Sequence, residues 1–106
     1  MKKTEYPARA RKAPPLHPGR VIGGILNDQH ISIRGAAKAM GVSYNALANV
    51  VGGRSAITPD MSLRLGTYFG NGPELWLNMQ QDHDLWHARR AMKAALAKIE
   101  PASAAA

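Results

Sequence analysis

The sequence contains no cysteine. Disulfides and thiolate metal sites are therefore excluded, and the chemistry carries no mark of a redox compartment. Long apolar runs are also missing. No stretch approaches the roughly 18 consecutive apolar residues of a membrane span. The first residues are charged and lack the apolar segment of a secretory signal. A soluble, cytoplasmic protein with no membrane partner is expected. Strand-like alternation and internal repeats are lacking too, so the expected fold class is all-α. Acidic residues are scarce, 7 against 14 Lys and Arg, for a formal net charge of +7. Such an excess suits a polyanionic partner. The 106 residues suffice for one compact domain, of a size at which dimerisation or partner binding adds useful stability.

The positive charge is unevenly spread. Residues 1–20 hold Lys2, Lys3, Arg9, Arg11, Lys12 and Arg20 against Glu5. The C-terminal stretch holds Arg89, Arg90, Lys93 and Lys98 against Glu100. Between them, residues 21–88 carry four basic and five acidic side chains, a formal charge of −1. DNA binding by the centre must therefore rest on geometry and not on bulk charge.

Residues 1–17, with Pro7, Pro14 and Pro15 and no apolar period, read as a basic flexible arm. It suits phosphates, an acidic partner or a solubilising role equally. Pro18 opens a first helix over about 18–28, with Val21, Ile22, Ile25 and Leu26 at helical spacing. Gly23 and Gly24 weaken that helix unless they admit a close neighbour. Ser32 is placed to cap a second helix, 33–40, which Gly41 stops. Ser43 caps a third, about 44–51, ended by Gly52 and Gly53. Thr58 and Pro59 start a fourth, 59–69, with Met61, Leu65, Tyr68 and Phe69 along one stripe. Pro73 opens a fifth that is expected to continue, with or without a bend near Asp82, to about Lys98. These boundaries divide the chain into an arm (1–17), a helical domain (18–82) and a C-terminal extension with a frayed tail (83–106).

The second and third helices, joined by a three-residue turn, have the pattern of a helix-turn-helix at about Ser32 to Val51. Ala37 is small where two helices must touch, and Gly41 tolerates the turn. Val42, Leu47 and Val50 are placed to face the core. The opposite face of the third helix presents Ser43, Tyr44, Asn45, Ala48 and Asn49. In such units the N-terminal part of this helix meets base edges. Asn can pair bidentately with adenine, and Ala48 can meet a thymine methyl. Ser43 and Tyr44 can bond bases or phosphates, while Arg34 and Arg54 flank the helix as phosphate grips. The expected DNA-binding residues are thus Arg34, Ser43, Tyr44, Asn45, Asn49 and Arg54.

Beyond this unit the sequence holds little chemistry. His83 and His87 stand four apart on a helix, with Asp84 between them, echoing a helical zinc motif. Asp84 is short for a general base and no third ligand is evident, so no metal, no cofactor and no enzymatic activity are expected. His17 and His30 are expected to cap or flank the first helix. Trp76 is expected in the core against Leu65 and Phe69. Trp86, and the amphipathic stretch Leu85 to Leu96, offer a face for a partner or a solvated extension.

Three motifs then carry a family resemblance. They are His17-Pro18-Gly19, the run Ser55-Ala56-Ile57-Thr58 with Leu63-Arg64-Leu65 and Tyr68-Phe69-Gly70, and Pro73-Glu74-Leu75-Trp76-Leu77-Asn78-Met79-Gln80. Over Leu16 to about Trp86 the chain resembles the HigA-type, VapI-related antitoxins of the XRE-like helix-turn-helix class. The resemblance implies a five-helix, lambda-repressor-like domain and a homodimer. It also implies two linked activities: repression of the protein's own operon at a palindromic operator in double-stranded DNA, and neutralisation of a RelE-like ribonuclease toxin. Two positions depart from the family pattern. Arg20 replaces the usual acidic residue after His-Pro-Gly, and Tyr44-Asn45-Ala46 replaces a basic start to the recognition helix. A stand-alone regulator, or a toxin-binding module with little DNA binding, is the alternative.

Overall fold

Ser32, Ser43 and Thr58 each turn a side-chain oxygen onto a backbone N–H three residues further on. Ser32 accepts from Gly35 at 2.9 Å, Ser43 from Ala46 at 3.0 Å and Thr58 from Met61 at 3.1 Å. Each satisfies a donor that the first turn of a helix leaves unpaired. These three caps start α2 (Ile33–Met40), α3 (Tyr44–Val51) and α4 (Pro59–Phe69). His17 does the same for α1 (Pro18–Asp28), its Nδ1 accepting from Gly19 N–H at 2.9 Å. Proline at the first position of α1, α4 and α5 (Pro73–Ala91) removes a further unpaired donor. The computed structural model describes residues 13–102, and all its regular structure is helical. The greater part of the basic arm, residues 1–12, lies outside the described residues.

The starts of the five expected helices are found where the sequence puts them. The fifth corrects the expectation. α5 runs through Asp82 without interruption to Ala91 and ends short of the expected Lys98. The interruption comes at Met92, and a short α6 (Lys93–Ala97) follows, so the described residues form six helices. Nothing in the stretch around Asp82 breaks a helix: it contains neither proline nor glycine.

Ile22, Leu26, Ala36, Ala37, Met40, Leu47, Val50, Ile57, Met61, Leu65 and Trp76 make one core. Trp76 is 1% exposed and its ring centre lies 5.8 Å from that of Phe69. Its indole N–H donates to Asn71 Oδ1 at 3.2 Å, which removes the cost of burying a lone polar group. Val42 is only half-buried and packs at the edge of the cluster.

Two close approaches shape this arrangement. A Cβ on Gly19 would collide with the backbone carbonyl of Val50, so α1 begins directly against the end of α3. A Cβ on Gly66 would come within 2.9 Å of the Asn71 carbonyl oxygen, so the turn into α5 folds tightly onto α4. The expected close contact at Gly23 and Gly24 divides. A Cβ at Gly23 would lie 3.1 Å from Val51 Cγ1, whereas Gly24 faces open space.

Gln80, 6% exposed, ties the far end of this frame. Its Oε1 accepts from the buried Ile57 N–H at 2.8 Å, and its Nε2 donates to Asp84 at 3.0 Å. The last residue of the Pro73 to Gln80 motif is therefore a support for the segment between α3 and α4. No helix among the described residues is long and apolar enough to cross a membrane.

Candidate nucleic-acid interface

The turn between α2 and α3 is set by Gly41. Its φ of 74° lies in the left-handed region, where a side chain is strained. Gly41 N–H and Val42 N–H return to the carbonyls of Lys38 and Ala37 at 3.2 and 3.0 Å. Ala36 and Ala37 are buried, so α3 seats Leu47 and Val50 on the core while its first turn stands clear.

That first turn presents Ser43, Tyr44 and Asn45, all exposed. The Ser43 oxygen is engaged as a cap acceptor, which leaves its O–H able to donate. The Arg34 guanidinium lies over the Tyr44 ring, 4.6 Å from its centre. Stacking orients the cation beside the exposed turn without consuming its N–H donors. Ala48 and Asn49 are half-buried, further along the helix. Asn49 Oδ1 accepts from Arg54 Nε at 3.1 Å, and Arg54 Nη2 donates to the Ala48 carbonyl at 3.2 Å. The six sequence-predicted residues therefore form two groups. Arg34, Ser43, Tyr44 and Asn45 gather at the start of α3, and Asn49 and Arg54 pair at its end.

Arg64 was not among the sequence-predicted site residues, yet it braces this unit. Its Nη1 donates to the carbonyls of Met40, at 2.6 Å, and Gly41, at 3.4 Å. Its Nε pairs with Asp60 at 2.6 Å. A cation at the C-terminal carbonyls of α2 matches the negative end of that helix. Only the spacing of Asp60 and Arg64, four apart, hinted at any of this; the reach to Met40 is a matter of tertiary packing.

Three of the four histidines gather beside the turn that follows α3, where a Cβ on Gly53 would lie 3.9 Å from the His17 ring. His83 and His87 have ring centres 4.5 Å apart, and His17 meets His83 edge to face at 5.1 Å. His83 Nδ1 lies 3.2 Å from Asp84 Oδ1. Burial lowers the pKa of His17, and the neighbouring His83 lowers it further, against the opposing pull of Asp84 and a backbone hydrogen bond at Ser55. Among the described residues, no group of three or more His, Cys, Asp or Glu is arranged to hold a metal ion. The expected role of His17 as a helix cap is observed, and it leaves the ring's Nδ1 engaged.

No family model matches the chain. Individual relatives do. Virulence-associated protein I of Dichelobacter nodosus is 38% identical over 80 residues, covering 74% of each chain. Antitoxin HigA-1 of Vibrio cholerae is 31% identical over 94 residues, covering 88% of this chain and 89% of the relative. The Pseudomonas aeruginosa antitoxin HigA, solved with the higBA promoter, superposes with a TM-score of 0.79 at 32% identity, covering 84% of this chain and 99% of that one. Such identity over such a share of both chains, on the same helical frame, goes beyond a shared fold. The chain belongs to the HigA-type, VapI-related family of antitoxins, DNA-binding regulators of the XRE-like helix-turn-helix class that are not enzymes.

Proposed function

We propose that this protein is the antitoxin of a toxin–antitoxin pair, that it binds operator DNA as a dimer and represses its own operon, and that it neutralises a RelE-like ribonuclease toxin. The observation that carries the DNA half is the exposed first turn of α3, with Arg34 stacked on Tyr44 beside Asn45. Asn45 offers an acceptor and a donor in one plane, as adenine requires in the major groove. Ser43 and Tyr44 add donors to bases or phosphates. No Lys or Arg lies on α3. Affinity must then come from Arg34 and Arg54, from whatever the arm contributes, and from a dimer that spans half-sites one turn apart, about 34 Å. The promoter solved with the Pseudomonas relative supports an operator as the target. A cytoplasmic location accords with that target.

The surface for a second copy or a toxin is most economically placed on α5 and α6. Leu85 on α5, Met92 between the two helices, Leu96 on α6 and Ile99 just beyond it are each at least 44% exposed. On this reading the helical domain reads DNA and the extension meets a partner.

Titration of a labelled duplex from the DNA upstream of the gene tests this reading. Tight, sequence-selective binding and protection from a ribonuclease encoded beside it are expected. The charge of −1 over residues 21–88 favours one second reading, a toxin-binding module with little DNA binding. That reading predicts toxin neutralisation with no preference for upstream DNA. Repression without any adjacent toxin gene would instead indicate a stand-alone regulator.

A further inference from the structure

Asn45 and Asn49 lie one turn apart on α3, yet their surroundings differ. Asn45 is exposed, and no hydrogen bond engages its side chain among the described residues. Asn49 is half-buried and holds residue 54 twice over. Its backbone carbonyl accepts from Arg54 N–H at 2.8 Å, and also from Ser55 N–H at 3.2 Å. Its side-chain Oδ1 accepts from Arg54 Nε at 3.1 Å. Arg54 Nη2 reaches the Ala48 carbonyl at 3.2 Å. The guanidinium lies against Gly52, where a Cβ would collide with Nη1.

We propose that Asn49 is a positioning residue, which clamps the Arg54 guanidinium across the C-terminal end of α3 for a DNA phosphate and does not itself read a base. The proposal rests on the reading of the protein as a DNA-binding regulator. A guanidinium carries five N–H donors. Asn49 and Ala48 engage one on Nε and one on Nη2. Both N–H of Nη1 and the second on Nη2 have no partner among the described residues, and that edge suits bidentate contact with a phosphate. The amide orientation follows from chemistry: Nε–H can only donate, so the atom facing it is oxygen. An Asn that pairs with adenine needs both Oδ1 and Nδ2 turned to the base edge. In Asn49 the oxygen is turned to Arg54. Holding a long side chain in place beforehand also lowers the ordering cost of binding.

The test measures affinity, salt dependence and base preference on a labelled duplex of upstream DNA, for wild type, Asn49→Ala, Asn49→Asp, Arg54→Ala and the Asn49→Ala, Arg54→Ala pair. Arg54→Ala should weaken binding to all sequences alike and make the salt slope shallower by about 0.9 for each phosphate that is no longer neutralised. Asn49→Ala should do the same to a lesser degree, and the double variant should be no weaker than Arg54→Ala alone. Asn49→Asp keeps the acceptor and loses the amide donor. It should keep the wild-type base preference even where its charge lowers affinity. A relaxed preference at one base pair in Asn49→Ala and Asn49→Asp, adding fully to Arg54→Ala, would make Asn49 a reader and overturn the proposal. So would a lowered melting temperature in Asn49→Ala with unchanged affinity and slope, which leaves Asn49 a helix support only. Wild type that binds no DNA overturns this role and the DNA-binding reading together; wild type that binds while Asn49→Ala behaves as a reader overturns the role of Asn49 alone.

Discussion

Arg64 on α4 donates its Nη1 to the carbonyl oxygen of Met40, the last residue of α2, at 2.6 Å. With the bond to the Gly41 carbonyl, this contact ties the helix-turn-helix to the helix behind it at the point where the chain reverses. Arg64→Ala should lower stability by about 1.5–3 kcal/mol, as loss of a hydrogen bond to a charged group does. Asp60→Ala should cost under about 0.5 kcal/mol, because that ion pair is well exposed. Urea unfolding checks both, with a shifted midpoint and an unchanged m-value expected.

Two glycines on α1 should respond in opposite directions. Gly19→Ala forces a methyl into the carbonyl of Val50 and should cost about 1–3 kcal/mol. Gly24→Ala fills open space on an exposed helical face and should stabilise by about 0.5–1 kcal/mol. Thermal melts of the two variants should move apart, and equal shifts would contradict the close approach of α1 to α3.

Stability should fall as the medium is acidified, through His17. Its folded-state pKa lies below the ordinary 6.5, chiefly because it is partly buried and then because of His83. The unfolded chain therefore binds a proton that the folded chain refuses, and stability declines as pH drops below about 6.5. The decline levels off once pH is below the folded-state value. His83, His87 and Asp84 share the cluster. His17→Asn keeps a capping side chain without a titrating ring and should flatten the profile of unfolding free energy below about pH 6.5. An unaltered profile would assign the slope to other groups.

Gln80 should prove structural. Gln80→Leu leaves the buried Ile57 N–H without its acceptor and should cost about 1–3 kcal/mol. Amide exchange at Ile57 should rise more than exchange in α2.

At the DNA, Asn45→Ala should relax base preference by about 1–3 kcal/mol at one position per half-site. Arg34→Ala should weaken all sequences alike and reduce the salt slope by about one. Anisotropy titrations at several salt concentrations separate the two behaviours. The reverse assignment would mean that α3 does not lie in the groove as proposed.

The helix starts were legible because they are local. Ser32, Ser43, Thr58 and the prolines at 18, 59 and 73 act within one turn of themselves, and Gly41 announces its left-handed φ by being glycine. Core positions were legible through the helical period, which put Leu47, Val50 and Leu65 inward. The end of α5 was not. From Glu74 to Lys98 the chain has neither proline nor glycine and so no local stop, and the break at Met92 could not be read from spacing.

The sequence by itself determined the starts of the five expected helices and the exposed first turn of α3 with Ser43, Tyr44 and Asn45. Each is set by residues adjacent in the chain or one turn apart. Tertiary structure alone decided what the long side chains do. Arg64 reaches Met40 across 24 positions, Gln80 reaches Ile57 across 23, and His17 meets His83 from the far end of the domain. The partner of a long polar side chain depends on which helix packs within its reach, and no sequence spacing encodes that distance. Asn49 and Arg54 stand between these cases: five apart, they meet because α3 ends at Gly52 and the chain folds back, turning one expected reader toward a neighbouring arginine.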